Sequence, residues 1–241
     1  NDSKTECLVI GRKSQLKHVT IDSITVGTSR IKPADSARNL GVIFDSNMNL
    51  KDHITTICQK SYIQLRNLYH IRKYINKSAC ETLVHAFITS RLDYCNSLLA
   101  GLPACDIGKL QRIQNSAARL VSKTRKYDHI TPVLIELHWL PVPQRIEYKV
   151  LLLTFKALHN QAPVYLQELL TPYHPGRSLR SSDKHLLAVP KSKLVTSGDR
   201  AFCVIAPKLW NQLPLPMRST NCLESFKRDL KTELFRKAYY L

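Results

Sequence analysis

The chain has 241 residues, 44% of them apolar, enough to core one large or two small domains and too many for wholesale disorder. Its 36 Lys and Arg against 18 Asp and Glu leave a net charge of +18. That excess opposes compaction by self-repulsion and points to a polyanion, nucleic acid ahead of an anionic membrane surface. No apolar run approaches a membrane span, and the N-terminus lacks the basic-then-apolar order of a signal peptide. Cys7, Cys58, Cys80, Cys95, Cys105, Cys203 and Cys222 are scattered, with no CxxC pair, which argues for buried thiols in a reducing, intracellular setting, cytoplasm or nucleus.

In chain order, Cys7 to Ile10 is a short apolar run ended by Gly11 and reads as a buried strand with no partner before it. With Ser23 to Val26 and Asn39 to Phe44 it predicts a small antiparallel sheet across residues 1–47, the tail of a larger domain. Turn chemistry stands at Val26-Gly27-Thr28 and Lys32-Pro33-Ala34-Asp35. Asp45-Ser46-Asn47 then offers a helix cap, and Ile54, Ile57, Ser61, Leu65, Leu68 and Ile71 mark one face of a long helix. Ser78 caps a second helix whose turns are marked by Thr82, Leu83, Ala86, Phe87 and Ser90. After a loop from Asn96 to Pro103, Asp106 caps a third helix running to about Lys123. Short connections between the three predict an antiparallel bundle over 48–127.

Residues 128–241 predict a further helical domain with one short β element. Thr131-Pro132 opens a short helix. Pro143 to about His159 is longer, with Ile146, Val150, Leu153 and Ala157 inward, and Pro163 to Leu170 is brief. Tyr173 to Asp199 is rich in Ser, Lys and Arg, with a strand signal at Leu186 to Val189. Ala201 to Leu213 and Leu223 to Tyr239 close the chain as helices. The fold class expected is mainly α.

The third helix carries the clearest chemistry. At about 100° per residue, Leu110, Ile113, Ala117, Leu120 and Val121 share one arc, and Lys109, Arg112, Ser116, Arg119 and Lys123 share the next. Arg125 and Lys126 continue the cations, and no acidic residue stands between Asp106 and Asp128. Cations at helical spacing suit a phosphate backbone, with Gln111 and Asn115 as groove contacts; the alternative is a solvated face, which usually mixes both signs. A second group, Arg177, Arg180, Lys184, Lys191, Lys193 and Arg200, reads equally as a segment ordered by phosphates or as a loop without a partner. Trp139 and Trp210, flanked by apolar residues and prolines, read as core anchors rather than base-stacking platforms.

A catalytic centre is not legible. There is no Gly-rich phosphate loop, HExxH or GxSxG, and no adjacent aspartates that could hold two magnesium ions. Asp93 is a lone carboxylate next but one to Arg91, a cap or ion-pair partner rather than a metal ligand. His53 with Cys58, or Cys80 with His85, could share a helix face, but neither pair has the second pair zinc requires.

Several stretches, taken together and in order, resemble the carboxy-terminal part of reverse transcriptases of LINE-type (non-LTR) retrotransposons. They are Lys4-Thr-Glu-Cys-Leu-Val-Ile-Gly11, Asn39-Leu-Gly-Val-Ile-Phe-Asp45, Ser90-Arg-Leu-Asp-Tyr-Cys-Asn-Ser-Leu-Leu99 and Arg112-Ile-Gln-Asn-Ser-Ala-Ala-Arg-Leu120. Asp128-His-Ile-Thr-Pro-Val-Leu134, Leu137-His-Trp-Leu-Pro-Val142, Ser178-Leu-Arg-Ser-Ser-Asp183, Gly198-Asp-Arg-Ala-Phe202 and Ala206-Pro-Lys-Leu-Trp-Asn-Gln-Leu-Pro214 continue the series. The resemblance implies that 1–47 is the tail of a polymerase palm, 48–127 the thumb that grips template-primer, and 128–241 a post-thumb domain. It also implies that the family's aromatic-x-Asp-Asp motif, its fingers and its endonuclease belong upstream. Magnesium is then expected only in the full-length polymerase, and this chain alone is expected to be non-catalytic, without a cofactor. The expected partner is RNA or an RNA–DNA duplex, with no membrane. The alternatives are a decayed element whose basic surface is unused, and an active polymerase whose upstream half is encoded in a longer reading frame.

Overall fold

The computed structural model describes residues 5–175, 184–192 and 198–240. Short two-stranded sheets precede a long series of helices, and the chain divides into two units, Asn1–Ile63 and Gln64–Leu241. The division falls inside the first long helix and not at the changes of period near 47 and 127, so residues 64–127 and 128–241 belong to one unit.

The first unit contains β1 (Cys7–Leu8), the one-turn helix α1 (Lys13–Leu16), β2 (Ile24–Val26), β3 (Ser29–Ile31), β4 (Pro33–Ala34), β5 (Ser36–Asn39) and β6 (Val42–Asp45). Pro33–Ala34, expected in a turn, instead supplies the partner of β1, and this short pair is parallel rather than antiparallel. Two hairpins follow the antiparallel expectation. β2 and β3 turn on Gly27 at φ 59°, and β5 and β6 turn on Leu40 and Gly41 at φ 45° and 85°. In the β5–β6 turn positive φ at both central residues matches the right-handed twist of paired strands. At the end of β6 the buried Asp45 carboxylate accepts backbone N–H bonds from Asn47 (3.0 Å), Asn49 (3.1 Å) and Leu50 (2.6 Å). Asn49 in turn accepts the Lys51 N–H, so the expected cap is a two-residue relay.

Helix α2 (Lys51–Ile71) follows, running through the division. Ile54, Ile57, Ser61, Leu65 and Leu68 are buried as their spacing predicts, but Ile71 is exposed, and the next inward place goes to Arg72 on a tight 3-10 turn, Arg72–Tyr74. Asn76, not Ser78, caps α3 (Lys77–Val84) by accepting the Ala79 N–H at 2.8 Å. A π-helical turn, His85–Thr89, leads on to α4 (Ser90–Asp93).

The buried face here is Cys80, Val84, Ile88 and Leu92, whereas Thr82, Ala86, Phe87 and Ser90 face outward and Leu83 is half-buried. A strict four-residue repeat drifts about 40° per step on an α-helix, and the wider π turn absorbs that drift. Periodicity at 3.6 therefore selected the wrong face.

After a 3-10 turn at Asn96–Leu99 come α5 (Ala104–Ser122), α6 (Thr131–Glu136), α7 (Val142–Leu158), α8 (Val164–Gln167), α9 (Phe202–Trp210), α10 (Leu215–Arg218) and α11 (Leu223–Tyr239). Helix α7 is the hub, packing against α4, α5, α8, α9 and α11. It buries Ile146, Val150, Leu151, Phe155 and Ala157, with Leu153 only half-buried. Phe155 stacks on Phe226 of α11 at 4.3 Å between ring centroids, and Trp210 lies against Phe226 at 5.8 Å.

Both tryptophans are core anchors. The Trp210 indole N–H donates to the His185 carbonyl (2.9 Å), and the Trp139 carbonyl accepts the Tyr239 hydroxyl (2.6 Å). Burial pushes the Tyr239 phenol up to about 12, so it stays a neutral donor. The strand expected at Leu186 to Val189 is reduced to a single bridge between Leu187 and Pro172, pinned by two hydrogen bonds between Asn211 and Leu187.

Candidate nucleic-acid interface

Helix α5 lies among α3, α6 and α7, and its buried side chains are Asp106, Ile107, Leu110, Ile113, Gln114, Ala117, Ala118 and Val121. These span an arc of about 140°, wider than the apolar pattern alone requires, and Leu120 is only half-buried. Ile107, Ala118 and the amide of Gln114 supply the extra width. The Gln114 amide donates to the Leu140 carbonyl (2.8 Å), and the Gln111 carbonyl oxygen accepts the Val142 N–H (2.8 Å). Gln111 also donates to Asn115, so these two expected groove contacts are engaged with each other and with the start of α7.

Of the expected phosphate contacts on this helix, the structure divides one set from another. Lys109 donates to Asp106 at 2.8 Å, and Asp106, expected as the helix cap, is instead buried in the first turn after Pro103. The Arg119 guanidinium donates to the carbonyls of Lys126 (3.3 Å) and Asp128 (2.7 Å), closing the loop after α5 on itself. Asp128 also takes the Arg125 backbone N–H on its carboxylate (3.1 Å). The two acids that bracket the stripe thus fold back onto it. What remains turned outward is Arg112, Lys123, Arg125 and Lys126, all exposed, with Lys123 ending the helix at φ 58°.

Among the described residues of the second basic group, Arg200 alone has a contact that places it, at the opposite end of α5 from Lys123. Lys184 and Lys191 are exposed, while Arg200 lies over the turn before α5 and donates to the carbonyls of Leu98 and Ala100, each at 3.4 Å. Gly101 (φ 72°) makes room for it, since a Cβ there would come within 2.7 Å of the Arg200 Cγ. Arg177, Arg180 and Lys193 lie outside the described residues.

Sequence reasoning missed the residue that ties this end of the unit together. Arg72, 9% exposed, donates to the carbonyls of Leu120 (2.8 Å) and Val121 (2.9 Å) at the end of α5, and of Ile75 (2.8 Å) in its own turn. A cation at a helix C-terminus is favoured by the unpaired carbonyls and the helix dipole. The contact brings Lys73 and Tyr74 beside the end of α5. Lys73 sits 4.8 Å from the Tyr74 ring centroid, and Lys126 sits 5.6 Å from that of Tyr127. A recurrent Arg66, Tyr69, Lys73, Tyr74 alternation was the available signal.

A separate cavity of about 400 Å³ is lined by Glu81, Asp93, Asn96, Trp139, Arg145 and Tyr148, among others. Asp93 pairs there with Arg145 (2.7 Å) rather than with Arg91, and Glu81 accepts the Trp139 indole N–H (3.3 Å). Burial pushes the Tyr148 phenol up. Among the described residues no three His, Cys, Asp or Glu side chains converge on a metal site, and Asp93 is occupied by Arg145, so this donor set does not fit a magnesium pair. Nor is any described helix long and apolar enough to cross a membrane. The chain matches no protein-family model, no curated protein and no solved structure.

Proposed function

We propose that this chain is the template-primer clamp of a LINE-type reverse transcriptase. On this reading residues 1–47 are the palm tail, residues 48–127, with α2 to α5, form the thumb, and residues 128–241 are a post-thumb domain without catalytic activity of its own. The observation that carries it is the outward set Arg112, Lys123, Arg125 and Lys126, with Asp106 buried against Lys109 and Asp128 accepting the Arg125 backbone N–H. Three exposed cations at the C-terminal end of α5, with Arg112 at mid-helix, suit the phosphates of an RNA or RNA–DNA duplex, and backbone contacts of this kind are sequence-tolerant and salt-dependent. The motif series described above supplies the family.

Anisotropy of a labelled RNA–DNA hybrid, titrated at several salt concentrations, tests the reading. Replacing Arg112, Lys123, Arg125 and Lys126 by alanine should flatten the plot of log affinity against log salt by roughly one unit per lost phosphate contact. Lys109→Ala should leave the slope unchanged, because Lys109 is held by Asp106.

The engagement of Lys109 and Arg119 favours a second reading, a helical module of retroelement descent whose basic surface serves its own fold. That reading requires the four-alanine variant and the parent to bind the hybrid equally weakly.

A further inference from the structure

Three tyrosines at the Arg72 junction are far more exposed than a core or a packing role requires: Tyr69 at 72%, Tyr74 at 76% and Tyr127 at 90%. Single exposed aromatics are ordinary on protein surfaces. These three share one end of the second unit, because Arg72 ties the turn carrying Tyr74 to the last carbonyls of α5 and Arg119 folds the loop carrying Tyr127 back onto the same helix. Each has a basic residue beside it in the chain or on its helix face: Arg66 and His70 with Tyr69, Lys73 with Tyr74, Lys126 with Tyr127. The nearby carboxylates are already engaged, Asp128 by the Arg125 N–H and Glu136 by Lys77. A duplex backbone uses the cations and leaves the rings idle, since paired bases hide their faces in the stack. An unpaired strand uses both: rings for base faces, cations for phosphates.

We infer that Tyr69, Tyr74 and Tyr127, with Lys73 and Lys126, form a stacking platform for the unpaired bases of single-stranded RNA or DNA. This deepens the clamp reading and rests on it for the shared cations: the same end of the unit holds a strand where it leaves the duplex. Stacking is tolerant of base identity, so the platform reads single-strandedness and not sequence.

The test compares three labelled probes on the full chain: a uridine dodecamer, an abasic dodecamer of equal charge, and a twelve-base-pair RNA–DNA hybrid. The uridine strand should bind about tenfold or more tighter than the abasic strand. A Tyr74→Ala, Tyr127→Ala double variant should lose most of that difference and keep its affinity for the hybrid, while Tyr74→Phe, Tyr127→Phe should keep both, since the ring and not the hydroxyl stacks. Equal binding of the uridine and abasic strands would overturn the platform while leaving the clamp intact, provided the hybrid still binds. A preference for uridine that survives the alanine pair would overturn the assignment to these tyrosines. Strong uridine binding without hybrid binding would keep the platform and defeat the clamp.

Discussion

The two units close their backbones with side chains of opposite kind, carboxylates accepting N–H groups in the first, a guanidinium and an amide donating to carbonyls in the second. In the first, strand pairs two to four residues long lean on carboxylates that accept backbone N–H groups: Asp45 collects three within five residues, and Glu6 takes the Arg38 N–H from β5 across 32 residues of chain. Ile10, Val19, Ile21, Ile24, Val26 and Leu40 stay exposed there. In the second, Phe155, Phe226 and Trp210 are sealed, and distant side chains close the helix ends, as Arg72 does for α5 and Gln114 for the segment before α7. The difference teaches something about charge. Where long helices must end inside a fold, cations and amides are drawn into closing them, so a count of basic residues overstates the number left for a ligand.

The largest expected effect tests the density of the second unit. Phe226→Ala should cost about 3–5 kcal/mol in urea unfolding, because it opens a cavity beneath both Phe155 and Trp210. A loss below 1 kcal/mol would mean that this core is as loose as the hairpins. Arg72→Met keeps most of the side-chain volume and removes the three carbonyl contacts; about 2–3 kcal/mol should be lost, with an unchanged denaturant slope. If stability holds, closure of α5 does not depend on Arg72.

The smallest effect belongs to the first unit and to pH. Burial, followed by Lys60, holds the His53 imidazole below the ordinary histidine range, and its Nδ1 accepts the Ile43 N–H at 3.5 Å. The folded form therefore binds a proton less readily than the unfolded chain. Its contribution is fully present above the ordinary histidine pKa near 6.5 and is lost as pH falls below it. Hydrogen exchange at the Ile43 amide, corrected for the intrinsic rate, should become less protected from pH 7 to pH 5. His53→Gln should abolish that dependence, and an unchanged profile in the variant would place the titration elsewhere.

Much of the architecture was legible from local pattern. The bounds Leu223 to Tyr239 of the last helix, the buried face of α2 as far as Leu68, the hairpin turn at Gly27 and the core placement of both tryptophans all follow from spacing and neighbours. The face of α3 did not, because a π turn changes the period where no residue type announces it. The pairing of β1 with Pro33–Ala34 was hidden for another reason. A proline-containing run reads as a turn until a second strand is known to lie beside it.

The candidate interface divides along the same line. Sequence alone determined that α5 is amphipathic, that its polar side is cationic, and that acids stand only at its two ends, since these depend on residue type and a fixed angular step. Tertiary structure alone decided which cations are left over. The loop after α5 turns back under Arg119, and Arg72 crosses 48 residues of chain to meet the Leu120 carbonyl, whereas Asp106 and Lys109 are a local pair three residues apart on one helix. The Arg72 contact follows from the cost of leaving helix-end carbonyls without a partner inside the fold, and which cation meets that need depends on where the chain folds back.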